Sequence, residues 1–349
     1  LCSQADPPSA GGLLSFVRNL KMQNRSKVPA VACIGLAFAL TLLGACSPSA
    51  ADLAPFVRGH GAWVNAIAVS PDDSRALSSS EQDGTKYWDI GSQKELAHFN
   101  SHKIQNLYAT YDVAFTPDGV SAVTCGQDGV VEIWNLGTGA SVRRLDKHPW
   151  GVNRVSVSQK GDRLLSAAQG GRLNLWERET GSLLCNLVGH ESAYGLTKVA
   201  FASDGKTAVS ASQDRSVRTW DLSNCSQLSA VQGKAYVGGP VAFSVERGVA
   251  ASRGKDHRSV ITWEIASGRE LQRMVRHTGE VHAIALSPDS QRIISGGEDK
   301  RLVVWNFASG KVEFERTLPT EITAIAVSNS GSWVLAGGKD GAIYRISIL

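Results

Sequence analysis

Histidine, serine or threonine, aspartate and tryptophan recur together along this chain of 349 residues. Alone, a His with a hydroxyl and a carboxylate offers general acid–base chemistry. Here His60, His102, His148, His190 and His277 each precede a Ser or Thr, then a turn, then a Trp. The turn residues are Asp83, Asp128, Asp214, Asp256 and Asp299, with Gly170 in the third unit. Four residues before each stands Ser79, Thr124, Ser166, Ser210, Ser252 or Ser295. Repetition gives these residues a structural reading: buried polar groups must be paired, and linked ones pin a single arrangement. No motif of chemistry competes with it. There is no Gly-x-Ser-x-Gly elbow, no His-Glu-x-x-His and no Walker loop. His190-Glu191 lacks the second His of a zinc helix, and His277 and His282 do not share a metal-ligand pattern. No metal, cofactor or catalytic residue is expected.

The elements that position these residues follow from the period. Trp88, Trp134, Trp176, Trp220, Trp263 and Trp305 are spaced by 42 to 46 residues, each followed by an acidic or amide residue. A seventh unit ends the chain, with Asp340 in step, Ala336 in place of the Ser and Ile346 in place of the Trp. Within each unit apolar residues alternate, as in VNAIAVSPDDSRALSSS and VHAIALSPDSQRIISGG, and Pro-Asp turns separate the runs. Four short strands per unit make one propeller blade, and repetition at this length predicts seven of them.

Composition agrees. A chain with 42% hydrophobic residues and 35 Gly is neither disordered, collagenous nor polytopic in a membrane. The net charge is +4, of which +3 lies in residues 1–45 and +1 in the rest. A near-neutral body has no electrostatic footprint for DNA, RNA or anionic lipid.

The constellation Gly59-His60, Asp83, Trp88-Asp89, repeated as Gly189-His190, Asp214, Trp220-Asp221, resembles the WD40 repeat family over residues 52–349. The resemblance implies an all-β, seven-bladed WD40 β-propeller. In that family His, Ser/Thr, Asp and Trp of one blade bond in a chain. The fourth strand of the last blade must come from 52–59, which closes the ring and removes its open edges.

The N-terminal segment has a different logic. After Arg25 and Lys27, residues 28–45 form an uncharged, mostly apolar run ending in small residues. That is the layout of a secretory signal peptide. Leu43-Gly44-Ala45-Cys46 resembles the lipobox of bacterial lipoproteins, in which the Cys is acylated and becomes the mature N-terminus. Ser47 after it points to the outer membrane, facing the periplasm. The expected order is upstream sequence over 1–21, signal peptide over 22–45, lipidated end and linker over 46–51, and propeller over 52–349. In that compartment one disulfide is permitted, and Cys185 with Cys225 is the pair outside the strand interiors; whether they join stays open here.

The resemblance also implies a working face, the rim that carries the His loops and Asp turns. The residue before each turn Asp is expected at its centre: Gln82, Gln127, Gln169, Gln213, Lys255, Glu298 and Lys339. Trp63, Tyr108, Tyr111, Trp150, Tyr194 and Tyr236 lie between the His positions and the next strand, and several of them should rim it. Aromatics with amides suit the binding of a protein or peptide. They also suit a sugar. A lone Glu298 between Lys255 and Lys339 is the weakest basis for a third reading, a hydrolase in the channel. The expected function is a non-catalytic protein-interaction scaffold tethered to the envelope.

Overall fold

The structure is a computed structural model that describes residues 54–349, apart from 105–106, 192–194 and 233–237. The lipobox with Cys46, Tyr194 and Tyr236 lie outside the described residues.

Seven four-stranded antiparallel sheets follow one another along the chain. The first runs Val64–Val69, Arg75–Ser80, Gly84–Asp89 and Lys94–Phe99, and blades two to six repeat that order. The innermost strands of adjacent blades pack beside one another, including the first on the last. Burial distinguishes the strands of a blade. In Arg75–Ser80 and its equivalents five consecutive residues are buried, as expected of a strand covered on both faces. The outer strands, such as Lys94–Phe99, are mostly exposed.

The seventh blade has three strands from the chain end, Ile322–Val327, Trp333–Gly338 and Ala342–Ser347. Its fourth is Val57–Arg58, with Val57 opposite Ile343 and Arg58 opposite Ala342. The expected closing strand is therefore in place. The seam is reinforced by the His60 amide on the Gly341 carbonyl at 3.0 Å and the Asn329 amide on Asp73 at 2.7 Å.

The core is divided among the seams. Each Trp packs into a cluster with the preceding blade: Trp176 with Val123, Val131 and Leu145, Trp220 with Leu165, Leu175 and Leu187, Trp305 with Val260 and Met274. At the closing seam Trp88 and Phe56 meet Leu335 and Ile343. Blade seven uses Tyr344 and Ile346 against Ile294 and Val304 of blade six. An indole of 150–250 Å² is thus spent on joining blades as well as on filling one.

Cys185, on the outer strand of blade three, is bonded to Cys225, in the turn before the outer strand of blade four. The bridge crosses one seam at its periphery. Cys125 is buried and free.

Candidate functional site

The polar chain inside the blades fixes the loops of the upper rim. In blade four the Trp220 indole donates to Ser210 Oγ at 2.8 Å, and Ser210 bonds His190 Nε2 at 2.7 Å. Nδ1 of His190 bonds Asp214 at 2.9 Å, and Asp214 also accepts the Glu191 amide. Blades two and six repeat this with Thr124, His102 and Asp128, and with Ser295, His277 and Asp299. Burial works against these carboxylates, but the His and N–H bonds prevail and hold Asp128, Asp214 and Asp299 below the usual range.

Blade one corrects the sequence reading. Ser78, not Ser79, bonds both His60 Nε2 at 2.7 Å and the Trp88 indole at 2.8 Å. Ser79 is buried with its hydroxyl unpaired. Counting back four residues from the Asp fails because Asp83 stands one residue later than its counterparts, whereas the ten-residue step from hydroxyl to Trp is kept. As a result His60 Nδ1 lies 3.6 Å from Asp83, beyond hydrogen-bond range. In blade three Gly170 supplies no carboxylate, and His148 Nδ1 is unpaired. Burial pushes both imidazoles down to about 4, with Lys86 adding to the effect at His60 and Arg172 at His148. Burial also lowers His190, with Asp214 opposing. In blade five Ser252 bonds Trp263 at 3.1 Å, and Asp256 bonds Ser259.

At the centre of the upper rim is a cavity of about 390 Å³. Gln169 and Gln213 line it. The other five residues expected at the centre do not. Gln82 is displaced by the same one-residue offset, and Glu81 takes the place. Lys339 is drawn sideways to Glu321, with both oxygens at 3.0 Å. Glu298 accepts the Glu280 amide at 3.2 Å, and Gln127 and Lys255 are exposed away from the lining. Much of the remaining lining comes from the entrances of the inner strands: Asn65, Tyr111, Asn153, Thr197 and His282, with Gly239 in blade five and Arg154 deeper in. Burial raises the Tyr111 phenol, and Glu81 adds to that.

Apart from Tyr111, which is expected on this rim, sequence reasoning missed this second ring. Its signal is a polar residue at the second position of an otherwise apolar strand, as in VNAI, VNRV, LTKV, VHAI and ITAI. Several of these side chains bridge blades. Asn65 donates to the Thr110 carbonyl at 3.0 Å, Asn153 to that of Leu196 at 3.1 Å, and Thr323 to that of Val64 at 2.7 Å.

Trp63 and Trp150 are exposed at 52% and 60%, in loops that lead into inner strands. Trp150 lies over Gly170, where a Cβ would approach its Cδ1 to 2.9 Å. Among the described residues no His, Cys, Asp and Glu group has the arrangement of a metal site.

Comparison with known proteins bears on this geometry. The family described as "WD domain, G-beta repeat" matches at 53–89, 93–135, 139–177, 181–221, 268–306 and 313–344. The unmatched unit is blade five, which lacks the ordinary His–Asp pair. The chain is 28% identical to small ribosomal subunit protein RACK1y of Oryza sativa subsp. japonica, covering 83% of this chain and 94% of that protein. It is 23% identical to the serine-threonine kinase receptor-associated protein of Bos taurus, covering 78% and 81%. With apoptotic protease-activating factor 1 of Rattus norvegicus it shares 24% identity over 82% of this chain, which spans 23% of that protein.

Proposed function

This chain belongs to the WD40 repeat family, and from that premise we propose that it is a non-catalytic scaffold binding a protein or peptide through its upper rim. The observation that carries the reading is the pair of open indoles, Trp63 and Trp150, on the rim whose centre holds Gln169 and Gln213. Tryptophan is among the residues most enriched at binding hot spots. Two relatives are named as members of larger assemblies, one as a ribosomal subunit protein and one as receptor-associated, which supports the same reading.

The second part of the proposal is the address: a lipoprotein anchored through Cys46 in a bacterial envelope, on the outer membrane and facing the periplasm. The Cys185–Cys225 bridge supports it, since disulfides persist in oxidising compartments. Five residues separate Cys46 from Asp52. At about 3.3–3.6 Å per residue they reach less than ~20 Å, so the anchor keeps the propeller close to the membrane. Radiolabelled palmitate incorporated by the wild type but not by Cys46→Ser tests the anchor, and equal labelling of both would refute it.

The binding face is tested by affinity capture from detergent-solubilised envelopes, comparing wild type with Trp63→Ala/Gln213→Ala. Retention of a specific protein by the wild type alone supports the proposal. Capture by both, or release by free sugars, would replace it with another surface or with a glycan ligand.

A further inference from the structure

Below the mouth the channel narrows to a cavity of about 130 Å³, which shares Asn65, Arg154, Thr197, Pro240 and His282 with the wider space above. Its character comes from one position, the third of each inner strand. Blades one, six and seven place Ala66, Ala283 and Ala324 there, and in blade five Pro240, just before the strand Val241–Ser244, lines the same space. Blades two, three and four place Asp112, Arg154 and Lys198. In those three blades, as in the three with Ala, the pairing register shifts just before this residue, which is how a bulge re-aims a side chain.

Charge in this cavity is unbalanced. Asp112 accepts the Val155 amide of the next blade at 3.0 Å. Arg154 donates to the Asn153 carbonyl at 2.6 Å. Among the described residues neither Arg154 nor Lys198 has an ion-pair partner. Two cations therefore share a confined space with one carboxylate that is already engaged. Burial lowers the Lys198 ammonium; Asp112 opposes this and Arg154 reinforces it. Both cations are half-buried and Asp112 balances only one of them, so an entering anion would offset the remaining positive charge.

The kind of anion follows from the approach. Entry from above passes Glu81 on the mouth, which repels a polyanion. The body carries only +1 and exerts no long-range pull on one. A single carboxylate meets the Glu81 repulsion only weakly and needs no long-range pull. Its two oxygens match the guanidinium fork, and a side-chain end fits where a folded segment would not. We propose that the channel beneath the mouth is a carboxylate subsite, in which Arg154 and Lys198 receive an Asp or Glu side chain, or the C-terminal carboxylate, of a peptide lying on the upper rim. The peptide as carrier rests on the binding reading above; the subsite can be tested without it.

The probes are Ac-Gly-Glu-Gly-NH2, its Gln analogue and Ac-Gly-Gly-Gly-OH, added to the intact chain at ionic strength matched with NaCl. Thermal unfolding and the 13C signals of reductively methylated Lys198 are the readouts. The Glu peptide should raise Tm saturably and shift the Lys198 signal, and the Gln peptide should do neither. A response to Ac-Gly-Gly-Gly-OH instead would assign the site to a chain terminus. Arg154→Lys keeps the charge without the fork and should weaken binding at least about tenfold, as should Lys198→Met. Equal responses to Glu and Gln peptides, no response to any probe, or an unchanged response in both variants would overturn the subsite. If the probes bind but no protein is captured on the rim, the subsite stands and the scaffold reading falls. If Trp63-dependent capture persists and the probes fail, the reverse holds.

Discussion

Lys339 holds its ammonium 4.7 Å from the centroid of the Trp63 ring, across the seam that joins the last blade to the first. The same ammonium is fixed by Glu321 of blade seven. A residue expected at the centre of the rim is instead a clamp on one of its aromatics. The contact keeps a half-exposed indole in one orientation before any ligand arrives, and preorganisation of this kind lowers the cost of binding.

Lys339→Met should therefore leave the fold intact and loosen the indole. A surface cation–π contact contributes about 0.5–1 kcal/mol, so the change in stability should be no larger than that. The 19F line of 5-fluorotryptophan at Trp63 should narrow and move toward the free value. An unchanged line would mean that neighbouring side chains alone position the ring.

Blade one offers a sharper test of the polar chain. Ser78→Ala leaves the Trp88 indole and His60 Nε2 without partners in the core, at a cost of about 1–3 kcal/mol. Ser79→Ala removes a buried hydroxyl that has no partner and should be neutral or slightly stabilising. Urea unfolding of the two variants separates them. Equal losses would contradict the bonding described for this blade.

The architecture is legible in the sequence because each blade repeats the same few demands: an alternating strand, a turn, an indole that must be buried and a hydroxyl to receive it. The count of seven, the closing strand from the N-terminal side and the degenerate third, fifth and seventh units all follow from that repetition. The site is less legible. Spacing from the Asp points to Ser79 over Ser78, because it does not reveal a one-residue offset in a turn. The same spacing points to residues beside the Asp turns for the mouth, whereas much of its lining comes from Asn65, Asn153, Thr197 and His282. Those residues reach the channel only because the inner strands are drawn into a ring, a tertiary fact that no single repeat contains.

Acid should destabilise the protein before its carboxylates titrate. His60 and His148 are buried and held at about 4 against 6.5 in an exposed chain. Between those values the unfolded chain binds protons that the folded chain does not. Stability is therefore fully present above pH 6.5 and falls as the pH drops toward 4, by about 3 kcal/mol for each imidazole. Urea unfolding between pH 7 and 4 should show this slope, to which the lowered His190 adds in the same direction, and His148→Gln should remove the share of one ring. A profile that is flat in the wild type over this window would show that the two rings are solvated in solution.

The Cys185–Cys225 bridge spans 40 residues and ties blades three and four at their edge. A loop of that size stabilises by about 2–4 kcal/mol, mainly by restricting the unfolded chain. Cys185→Ser/Cys225→Ser should lower Tm accordingly, and a reductant should lower that of the wild type but not of the double variant. If reductant and substitution both leave Tm unchanged, the bridge makes no net contribution to stability.

Gly170 separates the position of an aromatic from its presence. Its φ of 75° lies in the left-handed region, and an added Cβ would stand 2.9 Å from Trp150 Cδ1. The third blade gives up the carboxylate that would pair His148, and the space it leaves is covered by the indole. Gly170→Ala should cost about 1–2 kcal/mol in stability from the backbone strain. Because Trp150 is largely exposed, its ring can swing away and not be crushed. Partner capture by Gly170→Ala should then fall as far as it does for Trp150→Ala, although the indole is still present. Capture lost in Trp150→Ala but kept in Gly170→Ala would mean that the ring finds its place on the ligand, and the rim is adaptable. Capture kept in both would remove Trp150 from the binding face and leave Trp63, clamped by Lys339, as the anchor.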